Sequence, residues 1–287
     1  MNINMDTITR FSESLLAKGL SPGTADIYLG HLRRFLSWVE GTYGSSDLAL
    51  VTPLDVADYK RYLQNKNRKP ATVNNALDAI GSFFAWAKEA GIVQSDPSRG
   101  VKRLKEQKNA PRWLDRREVG ALFRAVQKYG SSKEQVLMML LYHAGLRVSE
   151  AVSLKAADVV IRERSGYVCV RCGKGGKYRE VPLNVTARSV LAEYIKEIYS
   201  GWLFPGKNGP MTRRAAEKAL AKFARLARIE ATPHQLRHTF CKKLVDEGVS
   251  LDKVAALAGH ENLNTTSRYT RPGLADLGAA VEKLAWE

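Results

Sequence analysis

Between residues 95 and 113 the chain is broken twice by proline, and that break limits how everything else can fold. Asp96, Pro97, Ser98, Arg99 and Gly100 are a run of turn-forming residues, and Pro111 interrupts the backbone again. No helix or strand pattern continues through such a stretch, so each flanking half must bury a core of its own. A chain of 287 residues is long for one compact unit and comfortable for two. The expected division is residues 1–98, a linker over 99–113, and residues 114–287.

The first half reads as helices with marked beginnings. Ser21 before Pro22 and Thr52 before Pro53 each place a capping hydroxyl ahead of a proline at the first helical position. After Ser21, residues Tyr28, Leu32, Phe35, Leu36 and Val39 recur at helical spacing. After Pro70, Val73, Leu77, Ile80 and Phe84 do the same, with Gly91 as a stop. The second half is mixed. A helix is expected to begin near Asp115, and residues 136–144 read as a buried helix ending at Gly145. Residues 167–171 and 178–183 read as two strands, joined by the glycine-rich segment 172–177 in the manner of a hairpin turn. From Thr212 the pattern is helical again, with breaks at Thr232 before Pro233, at Gly248 and at Gly259. The fold class is therefore mainly α, with a small antiparallel sheet in the C-terminal domain.

A hydrophobic share of 45% and a charged share of 26% are ordinary for a globular protein. The charge balance is not ordinary: 45 Lys and Arg against 29 Asp and Glu leave a formal net charge of +16. Such an excess favours polyanions, nucleic acid above all, through release of their counterions. The linker contributes Arg99, Lys102, Arg103, Lys105, Lys108 and Arg112. No basic and apolar leader marks the N-terminus, and the longest apolar run, residues 136–142, is too short for a bilayer. Three cysteines make no disulfide framework and suit a reducing cytoplasm.

Four segments carry the polar residues suited to chemistry. They are GLRVSE around Arg147, GKGGK around Lys174, HQLRH from His234 to His238, and GHENLNTTSRYT from Gly259 through Tyr269. Taken singly, each admits a structural role. Arg147 can pair with Glu150 one helical turn away, Lys174 can be a solvated turn residue, and Tyr269 can be core. His234 and His238 can be helix caps, or zinc ligands at the spacing of the zinc proteases. That second reading fails because Gln235 stands where the mechanism needs a glutamate base. Cys169 and Cys172 form a single CxxC with no second pair, and strand alternation turns the two to opposite faces. The glycine segment lacks the Gly-Lys-Ser/Thr ending of a nucleotide-binding loop. The sequence thus implies neither metal nor nucleotide cofactor.

Together and in this order, the four segments resemble the catalytic signature of the tyrosine recombinase (phage integrase) family, closest to its Xer-like two-domain members. The resemblance spans the whole chain and implies a two-domain clamp: a helical core-binding domain, a basic linker and a catalytic domain. By resemblance, Arg147 and Arg237 clamp the phosphate, Lys174 is the hairpin lysine, His234 and His260 complete the pocket, and Tyr269 is the nucleophile. The chemistry suits these residue types. Two planar guanidiniums can hold the non-bridging oxygens of a pentacoordinate phosphate. A tyrosine hydroxyl, with an ordinary pKa of about 10, needs a base or a strongly positive pocket, and His234 is the candidate base. Lys174 can protonate the departing 5′-oxygen. A phosphotyrosine keeps the bond energy, so rejoining needs no ATP.

The implied activity is site-specific recombination of double-stranded DNA through a 3′-phosphotyrosyl intermediate and a Holliday junction, in the cytoplasm at the nucleoid. Two alternatives share the fold: a DNA-binding or architectural protein without activity, and a type IB topoisomerase that relaxes supercoils. The complete six-residue site argues against the first, and the helical N-terminal half argues against the second. Past Tyr269, the residues Leu274, Leu277, Val281 and Leu284 form one apolar stripe at helical spacing. By resemblance this terminal helix docks on a neighbouring subunit, linking a homotetramer on paired DNA sites, while the free protein is a monomer or weak oligomer.

Overall fold

The computed structural model describes residues 5–45, 47–106, 111–171, 178–198, 201–260, 262–270 and 281–282. The chain divides into two compact units, one within Met1–Lys108 and one within Asn109–Glu287. The first is a helical bundle: α1 (Met5–Ala17), α2 (Pro22–Tyr43), α3 (Pro53–Asn65) and α4 (Pro70–Glu89). The expected starts hold. Ser21 accepts the Thr24 amide at the head of α2, and Thr52 and Asp55 form a reciprocal capping box at the head of α3. The periodic residues Leu32, Phe35, Val73, Ile80 and Phe84 are buried together with Phe11 and Phe83. Residues 101–106 belong to this unit: Asn74 accepts the Leu104 amide at 2.8 Å, and Lys60 Nζ donates to the Lys102 carbonyl at 2.7 Å.

The second unit is built on α5 (Arg116–Tyr129), α6 (Ser132–His143), α7 (Val148–Val152), α8 (Val185–Lys196), α9 (Arg213–Leu226), α10 (Pro233–Asp246), α11 (Leu251–Ala258) and α12 (Leu263–Thr266). Asp115 caps α5 as expected, and α6 begins four residues earlier than its apolar run because Ser131 and Glu134 form a capping box. Val136, Leu137, Met138, Leu140 and Leu141 are all fully covered, so α6 is apolar around its circumference and runs through the core. Around it lie Leu122, Val126, Leu191, Phe204, Leu220, Phe223 and Leu236.

A three-stranded antiparallel meander, β1 (Val159–Ile161), β2 (Gly166–Val170) and β3 (Arg179–Pro182), covers one side, with Val168 opposite Val181 in register. β2 and β3 are the two expected strands. The third, β1, has only three residues and no alternation of its own; it is recruited by pairing with β2. A short hairpin, β4 (Pro205–Gly206) with β5 (Gly209–Pro210), follows α8. The turn between β2 and β3, with Lys174 and Cys172, lies outside the described residues. No helix among the described residues is long and apolar enough to cross a membrane.

Candidate active site

Arg147, His234, Arg237 and His260 are each delivered by a helix end. Thr232 accepts the Gln235 amide and starts α10 at Pro233, which sets His234, Arg237 and His238 on the helix's first turns. Arg147 stands at the head of α7, after Gly145 turns the chain out of α6 with φ 58°. Gly259 ends α11 with φ 66° and hands the chain to His260. Both glycines are required by space as well as by backbone angle. A Cβ on Gly145 would lie 2.2 Å from the Phe240 ring, and one on Gly259 would lie 2.9 Å from the Arg179 guanidinium.

Backbone carbonyls aim the arginines. Arg237, 2% exposed, donates to the Gly145 carbonyl at 2.6 Å and also to the Ala258 carbonyl. Arg147 donates to the Gly259 carbonyl at 2.8 Å and to Glu150 Oε1 at 2.7 Å. The expected Arg147–Glu150 pair is thus present, but Glu150 is buried rather than on a surface. Burial alone would raise its carboxyl; hydrogen bonds from Arg179 and from the Arg147 amide outweigh that and bring it down to about 2. Arg147, His234 and Arg237 line one side of a concave surface of about 290 Å³, with Ser149, Arg213 and Thr232 completing it.

Tyr269 is not among the side chains that line this cleft. Its ring is 1% exposed, packed with Cys241, Val254 and Ala258. Its hydroxyl is 2.5 Å from Nδ1 of His238, and Cys241 packs beside it. Burial, then the neighbouring cysteine, pushes the phenol above its ordinary range. His260 stacks on Tyr269 at 6.3 Å between ring centroids, and its Nδ1 is 2.9 Å from the buried Thr266 hydroxyl. His234 sits edge-on to His238, with centroids 4.2 Å apart. The structure therefore brings Arg147, His234, Arg237, His260 and Tyr269 into one region, while Lys174 lies outside the described residues.

Three residues entered the sequence reading without a part in the site, or not at all. His238 contacts the phenol directly; its placement one residue after Arg237 and four after His234 was the available signal. Glu150 and Arg179 form the buried pair beneath Arg147, joined across 29 positions that no local pattern spans.

The imidazoles are held neutral. Burial first, then His234, takes His238 down to about 4; burial and Arg237 do the same to His260. His234 is lowered by burial and by Arg237 and Arg147. A phosphate arriving in the cleft would offset that repulsion, so the pocket is poised to gain protons as it binds an anion.

These shifts have a stability consequence. A histidine whose folded pKa lies below the unfolded 6.5 is protonated first in the unfolded chain, so its contribution is complete above that pH and lost as the pH falls toward 4. His143, lowered to about 4 by burial and then Lys243, adds to the effect. His143, His238 and His260 are each expected to remove about 1–3 kcal/mol across the window. Glu150, held near 2, contributes fully above the ordinary carboxylate range, and its contribution is lost as the pH falls through that range toward 2. Thermal melts of the full chain between pH 7 and 5 should therefore show a falling transition for the second unit; an unchanged or rising one would contradict the neutral-imidazole assignment.

Residues 112–274 match the model of the Phage integrase family, and residues 8–92 match that of the Phage integrase N-terminal SAM-like domain. The chain belongs to the phage integrase family of tyrosine recombinases. It is 33% identical to the tyrosine recombinase XerD of Ralstonia nicotianae, over 92% of this chain and 89% of that one. The TnP I resolvase of Bacillus thuringiensis is 28% identical over 98% of this chain and its own full length. Among solved structures, XerH bound to a palindromic difH substrate superposes with a TM-score of 0.74 at 19% identity, covering 98% of this chain and 89% of that one. A lambda integrase dimer on a COC′ core site gives 0.74 at 17% identity, covering 94% and 95%. The mainly helical two-unit fold with its small antiparallel sheet is the fold of these proteins. The chain is a tyrosine site-specific recombinase.

Proposed function

We propose that this recombinase cleaves duplex DNA by attack of Tyr269 on a backbone phosphate, forms a 3′-phosphotyrosyl bond, and exchanges strands through a Holliday junction without metal or nucleotide. The observation that carries the reading is the convergence of Arg147, His234 and Arg237 on one cleft, with Tyr269 linked to His234 through the intervening His238 and stacked on His260. Arg147 and Arg237 hold the non-bridging oxygens, and His260 supports the second face of the site. In the resting geometry the hydroxyl faces His238 rather than His234. Tyr269 must leave its apolar nest before His234 can take its proton. Trapping the full-length protein on nicked duplexes from DNA flanking its gene, then sequencing the esterified peptide, tests this. Tyr269 on a 3′ phosphate is expected; another residue, or a 5′ linkage, would overturn the assignment.

Residues 1–98 form the core-binding domain in this reading, and residues 114–287 form the catalytic domain. In the first unit, Arg33, Arg34, Lys66 and Arg68 ring a hollow of about 1070 Å³ beside Trp38 and Tyr62, chemistry suited to a phosphate backbone. Residues 274–287 dock on a neighbouring protomer and link a tetramer on paired sites. In support, Val281, a member of the terminal apolar stripe, is helical and 65% exposed rather than packed on its own unit. Contacts of this head-to-tail kind close into a ring only at the right rotation, which two paired sites would impose. Deleting 274–287 is expected to leave half-site binding nearly intact while abolishing tetramers on paired sites by sizing. Tetramers formed by the truncated chain would refute the docking role.

A further inference from the structure

Arg179 lies outside the six-residue site, yet its guanidinium meets Glu150 of α7, the Leu257 carbonyl of α11 and Gly259. It opens β3, immediately after the segment that bears Lys174. Its two terminal nitrogens grip both oxygens of Glu150, at 3.0 Å and 2.8 Å, in a planar fork. Its Nε donates to the Leu257 carbonyl at 3.2 Å, near the end of α11. The Gly259 α-carbon lies so close to this guanidinium that no side chain fits there, and the Gly259 carbonyl is the one that receives Arg147. Arg179 is itself largely covered, with a side chain 14% exposed.

Electrostatics gives this contact a purpose. Glu150 is buried beside Arg147. If Glu150 were paired with Arg147 alone, it would cancel that charge and draw both terminal nitrogens inward, away from an incoming phosphate. With Arg179 on its other side, one carboxylate is shared between two guanidiniums, so the pair and Arg237 leave the cleft with a net positive field. We propose that Arg179 is a positioning residue for strand cleavage: by engaging Glu150 it leaves the charge of Arg147 uncompensated and its guanidinium aimed at the phosphate. It also ties the head of β3 to the Leu257 carbonyl near the end of α11. This rests on the reading of Arg147 as a phosphate clamp.

The test uses the full-length protein on a nicked duplex carrying its mapped site, with the rate of covalent-complex formation as readout and thermal melts as a check on folding. Arg179→Met is expected to bind DNA with little loss and to cleave about 10²-fold more slowly. Arg179→Lys, which restores charge but not the fork, should fall between the two. The deciding variant is Arg179→Met combined with Glu150→Gln. Removing the now unopposed carboxylate frees Arg147, so the double variant should cleave about tenfold faster than Arg179→Met alone. A merely structural Arg179 predicts that the double variant recovers its melting transition while the cleavage rate of the folded protein stays as in Arg179→Met. Additive losses, or Arg179→Met cleaving at the wild-type rate, would overturn the proposal. Arg147→Ala separates the two failures. If it cleaves normally, the clamp reading fails; if it is inactive while the double variant shows no recovery, only the role of Arg179 fails. Should Arg179→Met not fold, Arg179→Lys with and without Glu150→Gln gives the same comparison.

Discussion

Tyr269→Phe is expected to bind its DNA site as the wild type does and to form no covalent complex at all. Phenylalanine keeps the ring among Cys241, Val254 and Ala258 and removes only the oxygen. What the folded state loses is the contact with His238 and Cys241, about 1 kcal/mol, too little to unfold the unit. What the reaction loses is its nucleophile, and no neighbouring group can take that role. Cys241 is fully buried beneath the ring, and burial pushes its thiol further from ionisation. The loss should therefore be complete. With the cleaved strand labelled at its 5′ end, a denaturing gel separates free strand from strand carrying protein. Label that still migrates with the Phe variant would mean that another residue forms the bond, and the assignment of Tyr269 would fall.

How much of this could be read from the residues in order depends on the range of each interaction. Helix starts are local. Ser21, Thr52, Asp115 and Thr232 each satisfy amides within three positions, and all four are N-caps in the structure. The arginines, histidines and tyrosine of the site were legible as motif residues, because their spacing along short segments is what the family resemblance rests on. The arrangement behind them was not. Glu150 reads as a surface partner of Arg147 from its spacing, yet it is buried because Arg179 arrives from a strand 29 residues away. The burial of Tyr269 against His238 was equally hidden, since it depends on how the turn after α11 folds back onto α10. The helix α8 carried only a modest apolar pattern; it is held by Ala187, Leu191 and Tyr194 packing on the core formed by α6.

Lys174→Ala is expected to fail on ordinary DNA and to recover on a substrate whose bridging 5′-oxygen is replaced by sulfur. When Tyr269 attacks, the bond from phosphorus to the 5′-oxygen breaks, and the departing alkoxide is a poor leaving group unless a proton reaches it. Of the six site residues, Arg147 and Arg237 donate hydrogen bonds from guanidiniums that remain charged, and their role is to hold the non-bridging oxygens rather than to give up a proton. The neutral His234 and His260 have no proton to spare beyond the one that each ring carries. A lysine ammonium is a stronger acid than an ordinary guanidinium, and Lys174 falls in the sequence between β2 and β3. A positioned general acid contributes about 10²–10⁴-fold, so the alanine variant should lose about that much on oxygen-linked DNA. A thiolate leaves without protonation, so the sulfur-linked substrate bypasses this one deficit and no other. Arg147→Ala supplies the contrast, because loss of phosphate stabilisation persists whatever atom departs. Rescue of Lys174→Ala to near the wild-type rate, with Arg147→Ala left slow, fits an acid on the leaving group. Equal rescue of both variants would show that sulfur merely makes the substrate easier to cut, and Lys174 would lose its role.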